Sequence, residues 1–441
     1  MVRKLGQDGA LSWLAIFRLG LVQLCLGGLV VITTSTLNRL MVVEMALPAV
    51  LPGLLVGLHY AIQITRPNWG YKSDTGGNRT RFIILGMAAL ALGAFLAALG
   101  MVIMAGNFAI GLLISVLAYA LIGVGVGAGG TSLLALLATS TAAPRRAAAA
   151  TMTWLMMILG IALTATVVGA MIEPYSPAVL LKTVAGLGVF ALALTGAAIW
   201  GIEARVGGAA RPETAPMPYV QGMRQILAEP RARVFTLFIF VSMTAYFMQE
   251  LILEPYAGLI FGLSPGQTTQ LSGAQNGGVF VGMLLVGIAA TGLRIGSLRT
   301  WVIAGCVGSA GALVALAMAA HMPWGAGALS GLVISLGLFN GMFAVAAIGA
   351  MMALAGEGRR EREGTRMGLW GASQAIAAGI GGLFGAAAVD FARFVMSAQT
   401  AFGAVFLLEA GLFALAAFMA ASTVPAAREE PHGHSQLMAG E

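Results

Sequence analysis

Charge is what this chain of 441 residues has least of. Asp, Glu, Lys and Arg together make up 9%, where a soluble protein carries roughly a quarter. With 59% of the residues hydrophobic, that shortage excludes an ordinary water-soluble globule. Cysteine is nearly absent: Cys25 and Cys306 both fall inside apolar runs, which excludes a disulfide framework and a cysteine-based zinc site. No acidic cluster suited to a diphosphate with magnesium occurs, no Ser-His-Asp spacing, and no carboxylate pair arranged for hydrolysis. A small-residue cleavage site is also lacking after the first apolar run, which continues well past the length of a signal-peptide core, so no cleaved leader is expected.

What is present is apolar length. Runs of the size needed to cross a hydrocarbon core cover about 14–38, 47–65, 82–104, 108–138, 150–172, 178–202, 233–254, 270–292, 299–320, 326–355, 367–389 and 400–422. The expected fold is an all-α integral membrane protein of twelve transmembrane helices, arranged six plus six. The expected division is an N-terminal bundle over 1–202, a linker over 203–232, a C-terminal bundle over 233–424 and a disordered tail over 425–441. The linker holds Pro212, Pro216, Pro218 and Pro230 among its arginines. The 61 glycines are scattered through apolar runs, as close helix packing in lipid requires. Gly123, Gly125, Gly127, Gly129 and Gly130 lie within one such run with no strand before them, so they read as packing and not as a nucleotide loop.

The cations distribute unevenly. If the N-terminus is cytoplasmic, Arg3, Lys4, Arg66, Lys72, Arg79, Arg81, Arg145, Arg146, Arg294, Arg299, Arg359, Arg360, Arg362, Arg366 and Arg428 share its side with the linker arginines. Arg39, Lys182 and Arg393 fall opposite, and Arg18 lies within the first run. This is the positive-inside pattern, with both termini cytoplasmic. The net charge of +7 therefore belongs to short loops beside a lipid bilayer, and no nucleic-acid partner is expected.

One loop is more specific. Between the second and third runs lies RPNWGYKSDTGGNRTRF, Arg66 to Phe82, with Gly70, Asp74, Gly77, Arg79 and Arg81 in fixed order. Glycines allow the tight turn and cations hold it out of lipid. The order resembles the G-x-x-x-D-x-x-G-x-R loop between the second and third helices of major facilitator superfamily carriers. That resemblance implies a gating contact of Asp74 with the start of the eleventh helix, near Gly364 to Arg366. An internal repeat agrees with two related halves. Arg145, Arg146 and Thr151 recur as Arg359, Arg360 and Thr365, and NRLMVVE, ending at Glu44, is echoed by QELILEP, which contains Glu254.

Polar groups at membrane depth are costly unless paired or functional. Asn38, Arg39 and Glu44 close the first run, with Arg39 a candidate partner for Glu44; Glu250 and Glu254 close the seventh. Asp390 is read as pairing with Arg393, and Glu409 is the deepest acid. His59 is the histidine well inside a run, with Tyr60 beside it and Gln63 one turn on. A neutral imidazole there either hydrogen-bonds Gln63 or serves as an axial ligand.

A closer likeness lies in Arg18 to Gly77, where RL-x-L-x-Q, TLNR-x-M-x-VE and an SDT-containing loop follow in order, and in QELILEPYAGLIFGLSPGQTTQL, Gln249 to Leu271. These runs resemble the PucC/LhaA family of phototrophic bacteria, and most of all its subgroup labelled as a bacteriochlorophyll synthase chain. The resemblance implies a major facilitator fold turned to bacteriochlorophyll delivery and light-harvesting complex assembly in the photosynthetic inner membrane. Implied partners are bacteriochlorophyll synthase or light-harvesting polypeptides, and the implied cofactor is bacteriochlorophyll or a precursor. Candidate binding residues are His59 (as ligand to the chlorin magnesium), Tyr60, Asn38, Arg39, Glu44, Glu254 and Glu409. The chain is read as a carrier or assembly factor and not as an enzyme. A secondary transporter of a small amphipathic solute is the alternative.

Overall fold

The computed structural model describes residues 11–66, 69, 78–142, 145–203, 228–293, 295–322, 326–356 and 363–424, and among them every regular element is helical. In chain order the helices are α1 (Trp13–Glu44), α2 (Val50–Thr65), α3 (Arg79–Met104), α4 (Phe108–Ser140), α5 (Arg146–Met171) and α6 (Pro177–Ile199). There follow α7 (Pro230–Phe261), α8 (Pro265–Gly287), α9 (Leu298–Ala319), α10 (Ala326–Gly356), α11 (Glu363–Arg393) and α12 (Ala398–Thr423). Among the described residues eleven helices are long and apolar enough to cross a membrane, and Val50–Thr65 is shorter. The run expected over 47–65 begins late because Pro48 cannot donate a helical hydrogen bond, while Pro52 is tolerated in the first turn.

The clearest departure from the expected spans is at the seventh. Hydropathy places its end near 254 and the start of the next at 270; the helix instead continues to Phe261, and α8 starts at Pro265. Gly262 ends α7 at φ 69°, a left-handed conformation that glycine adopts without strain. Ser264 and Gln267 then form a reciprocal capping box with Pro265 at the first helical position. The first helix likewise runs beyond 38, to Glu44, through two π-turns at Ile32–Thr36 and Leu40–Glu44.

Two apolar cores result, one drawn from Leu11 to Ile202 with Leu251 added, the other from Ala232 to Val424. They meet along a seam. On one flank α5 lies along α8, and on the other α2 lies along α11. The α5–α8 approach is backbone to backbone: a Cβ on Gly169 would stand 2.7 Å from the Gly266 carbonyl oxygen, and one on Gly273 would stand 2.9 Å from the Thr166 nitrogen. Small clusters bridge the seam, Ile158 with Val279 and Met283, and Val42 and Ala49 with Ala386.

The end of the bundle where α1 starts is called proximal here and the opposite end distal. At the proximal end Arg18 is part-buried and donates to the carbonyls of Ala197 (3.2 Å) and Trp200 (2.7 Å), filling acceptors that the end of α6 leaves open. Glu203 accepts from the backbone N–H groups of Arg79 and Thr80, both at 2.8 Å, and Asn78 accepts from that of Arg81. The N-terminus of α3 is thus capped twice. The Arg79 side chain turns to the last turn of α4, donating to Thr139 Oγ1 at 2.5 Å. Gly70, Asp74 and Gly77 of the loop motif, residues 204–227 of the linker and the tail from 425 lie outside the described residues.

Candidate functional site

Sequence alone puts the polar groups of α1 and α7 at helix ends. Because both helices run on, the structure buries them against one another in the seam. Pro255 explains part of the arrangement. It has no N–H to give the Leu251 carbonyl one turn earlier, the donor a regular α-helix would supply there. Asn38 reaches across from α1 and donates its Nδ2 to that oxygen at 2.8 Å. Asn38 is fully buried. An unpaired carbonyl in such a place costs about 1–3 kcal/mol.

Around this contact the two helices are laced by further hydrogen bonds. The Ser35 hydroxyl donates to Glu254 Oε1. Thr36 and Thr269 share a hydroxyl–hydroxyl contact of 3.2 Å. Arg39, 2% exposed, donates Nη1 to Glu44 at 2.5 Å and Nη2 to the Leu263 carbonyl at 2.8 Å. The Arg39–Glu44 pairing expected from sequence is therefore present. Gly258 makes room for the guanidinium, since a Cβ there would stand 3.2 Å from Nη2. Beside this pair, in the connection from α5 to α6, the Tyr175 phenol is pushed up from its ordinary pKa by burial and by the Glu44 carboxylate.

Two more links close the distal end. The backbone N–H of Val50, one of the orphan donors at the start of α2, donates to Asp390 Oδ2 at 2.7 Å. The Ser264 hydroxyl donates to Glu173 Oε2 at 2.5 Å. Asp390, expected to pair with Arg393 on its own helix, is instead a cap for α2. Helix α11 runs four residues past the expected end at 389, so Asp390 faces the start of α2 and not an end of its own helix.

Towards the proximal end the seam becomes aromatic. Tyr60 donates to Glu250 Oε2 at 3.5 Å, and its ring meets Phe247 edge-on at 6.1 Å, with Tyr246 packed on Phe247 at 5.1 Å. Glu250, Tyr60, Tyr246 and Phe247 are only part-buried, whereas Glu254, one turn on, is 2% exposed. His59, 2% exposed, packs its ring on Tyr60 and receives Gln63 Nε2 on its own Nε2 at 3.0 Å. Gln63 is oriented by Arg66, which donates to its Oε1. That leaves the proton of His59 on Nδ1, which has no hydrogen-bond partner. Glu409 stands apart from the seam contacts, fully buried on the α12 face that carries Phe406 and Phe413, with no hydrogen bond to either oxygen. Among the described residues no group of three or more His, Cys, Asp or Glu could hold a metal ion.

The family model described as PUCC protein matches residues 36–427. The chain belongs to the PUCC protein family. Within that family it is 64% identical over 416 residues to a Rhodobacter capsulatus protein named bacteriochlorophyll synthase 44.5 kDa chain, covering 94% of this chain and 96% of the relative. It is 29% identical over 386 residues to protein PucC of the same organism, covering 83% and 81%. The Cereibacter sphaeroides protein PucC is 27% identical over 419 residues, covering 91% and 90%. Among solved structures, a peptide transporter POT superposes with a TM-score of 0.68 at 15% identity, covering 93% of this PUCC protein and 94% of that chain. A bacterial homologue of the human lysosomal transporter Spinster, inward-facing and unoccupied, gives 0.64 at 14% identity, covering 93% and 98%. Likeness at these identities carries the fold alone: all-α, multi-spanning and of the major facilitator type.

The seam of this PUCC protein gathers Asn38, Arg39, Glu44, Tyr60 and Glu254 from the sequence-derived candidates, keeps His59 against its edge and leaves Glu409 outside. It adds residues not put forward from sequence as site residues: Ser35, Thr36, Glu173, Glu250, Leu263, Thr269 and Asp390. The signal that would have found several of them is the Ser264-Pro265 start of α8. That start shortens the connection and forces Glu250 and Glu254 inward.

Proposed function

We propose that this PUCC protein is a carrier or assembly factor that supports bacteriochlorophyll supply and light-harvesting complex assembly. The observation that carries the reading is the 64% identity, over nearly the whole of both chains, to the protein named bacteriochlorophyll synthase 44.5 kDa chain. The carrier reading is preferred to a synthase because no acidic cluster for a diphosphate occurs in the sequence. The proposed setting is the photosynthetic inner membrane, with both termini cytoplasmic. The proposed architecture counts α2 as a twelfth span, giving bundles over 1–202 and 233–424 joined by 203–232. Bacteriochlorophyll synthase or light-harvesting polypeptides are the proposed partners.

A chlorin would need an apolar slot and, for its magnesium, an open axial donor. His59 does not fit the second role in this conformation: Nε2 is occupied by Gln63 and Nδ1 carries the proton. Pigment contact is assigned instead to the part-buried aromatic rings of Tyr60, Tyr246 and Phe247, next to Glu250. Asn38, Arg39, Glu44 and Glu254 are assigned to closing the distal end, and the Gly70, Asp74, Gly77, Arg79 and Arg81 loop to gating the proximal one.

The experiment is a purification in mild detergent from pigment-making cells, with cells lacking the pigment as control. A chlorin absorption spectrum that copurifies with the chain and weakens on Phe247→Ala supports the reading. A colourless preparation that moves an amphipathic solute in vesicles replaces it with the transporter alternative.

A further inference from the structure

At the proximal end, where α1 starts and α6 stops, two cations border an apolar outer surface, and the seam uses neither. Along α1, Trp13 and Phe17 form one row and Leu14 and Arg18 the next, each pair one helical turn apart. The three apolar side chains are 43–70% exposed. They stand on an anchored helix start: Ser12 Oγ accepts from the backbone N–H of Ala15, and the N–H of Leu11 donates to the Ser140 carbonyl at 2.8 Å. The neighbouring helix is low beside them. Ala193 and Ala197 are exposed on one face of α6 and carry only methyl groups, while Phe190, 58% exposed, stands one turn further along that face. The furrow between α1 and α6 ends at Arg18, whose Nη2 holds the carbonyls of Ala197 and Trp200.

Both cations have capacity to spare. Among the described residues Arg18 makes no hydrogen bond through Nε or Nη1. Arg145, part-buried at the start of α5, lies over the Trp13 ring with its guanidinium carbon 5.9 Å from the ring centre. Neither is paired with a carboxylate among the described residues, and Glu203, just past α6, is turned to the start of α3. An apolar furrow that ends in unpaired cations has the polarity of one amphiphile, with its chain along the helix and its charged head at the end. Indole rings favour the headgroup level of a bilayer, and Trp13 flanks this furrow together with Trp200, which is 79% exposed. Basic pockets between helices hold anionic lipid headgroups by the same attraction. An acidic polypeptide would answer the cations but leave the furrow towards Phe190 uncovered.

We propose that this furrow binds one anionic phospholipid. Its phosphate pairs with Arg145 and with the free donors of Arg18, and an acyl chain lies over Ala197 and Ala193 towards Phe190. The lipid thereby ties the starts of α1 and α5 to the end of α6. The site is on the outside of the first core, so it stands whether or not the pigment reading does. The repeat-related start of α7 offers an internal control. It carries two exposed arginines, Arg231 and Arg233, but buries its first aromatic ring, Phe235.

The test mixes the full chain, in a neutral detergent, with phosphatidylglycerol or with phosphatidylcholine and counts retained lipid by native mass spectrometry. One phosphatidylglycerol per chain should be held in preference to phosphatidylcholine. Each guanidinium should be worth about fivefold in binding, so Arg18→Gln and Arg145→Gln should each weaken retention by that factor and the double variant by their product. Removing the same charge with Arg231→Gln and Arg233→Gln should change retention by less than about twofold. Arg18→Gln also frees the end of α6, so the position is read separately in the unsubstituted chain. A phosphatidylglycerol with a diazirine midway along one acyl chain should crosslink to the segment from Phe190 to Ala197. Equal retention of the two lipids, equal losses in the two double variants, or crosslinks on α7 and α11 as heavy as on α6 overturns the proposal. A polypeptide that copurifies on this face in place of lipid overturns it as well.

Discussion

Helices α1 and α7 open the two cores, and both depart from regular α-helix where they face each other. Their contributions to the seam are nevertheless opposite in kind. Helix α1 stays continuous by widening into π-turns and brings donors: the Ser35 hydroxyl, the Asn38 amide and the Arg39 guanidinium. The α7 side tightens to a 3-10 turn at Gln249–Leu251 and brings acceptors: Glu254 and the carbonyls of Leu251 and Leu263. Val50 and Asp390 repeat the rule, with the donor from the first core and the acceptor from the second. Ser264 to Glu173 runs the other way. A seam sorted by polarity has few ways to mispair. Sliding one side by a turn leaves buried donors facing apolar surface, and each unpaired group then costs about 1–3 kcal/mol.

The largest expected effect comes from forcing the two sides apart without touching a polar group. Gly169→Leu drives a side chain into the Gly266 backbone and should cost about 3 kcal/mol, read as a lower midpoint of thermal unfolding in detergent. Next is Asn38→Leu, expected to cost about 2 kcal/mol by stranding the Leu251 carbonyl. Adding Pro255→Ala returns an N–H to that carbonyl, so the double variant should be more stable than Asn38→Leu alone. Additive losses would show that Asn38 acts through something other than the proline gap. Asp390→Ala removes the cap on α2 and should cost about 1 kcal/mol, with hydrogen exchange speeding at Val50 before it changes elsewhere in α2. Smallest is Glu173→Gln, expected within about 0.5 kcal/mol, because Ser264 remains held by its own capping box with Gln267.

Topology offers a separate check on how the two sides are joined. Reporter fusions at Pro216 and at Pro323 should show opposite sidedness, and the same sidedness at both would remove the twelve-span count.

Much of the fold was legible because apolar length is a direct requirement of lipid. The limits of α3, α4, α6 and α9 fall within a few residues of the runs read from sequence. What was not legible depends on partners distant in the chain. Nothing local in α1 signals that it continues through Thr33 to Glu44 as a π-widened helix, since the groups that accept its side chains belong to residues more than two hundred positions later. Arg39 and Glu44 do pair, but through the π-turn over Leu40–Glu44, since residues five apart on a regular α-helix point away from each other. Asp390 was not, because its acceptor role is set by the exposed N–H of Val50. Glu254 was seen as a polar end. Its burial follows from Gly262 and the Ser264-Pro265 pair, whose turn and capping chemistry would have extended the helix had it been weighed against hydropathy.

The proline gap in α7 also bears on how the protein is made. A carbonyl that Asn38 satisfies across the seam means that the later part of the chain enters the bilayer lacking a hydrogen bond that the earlier part supplies. Synthesised as two separate polypeptides, the pieces on either side of the linker should therefore accumulate together and be cleared by membrane proteases when expressed singly.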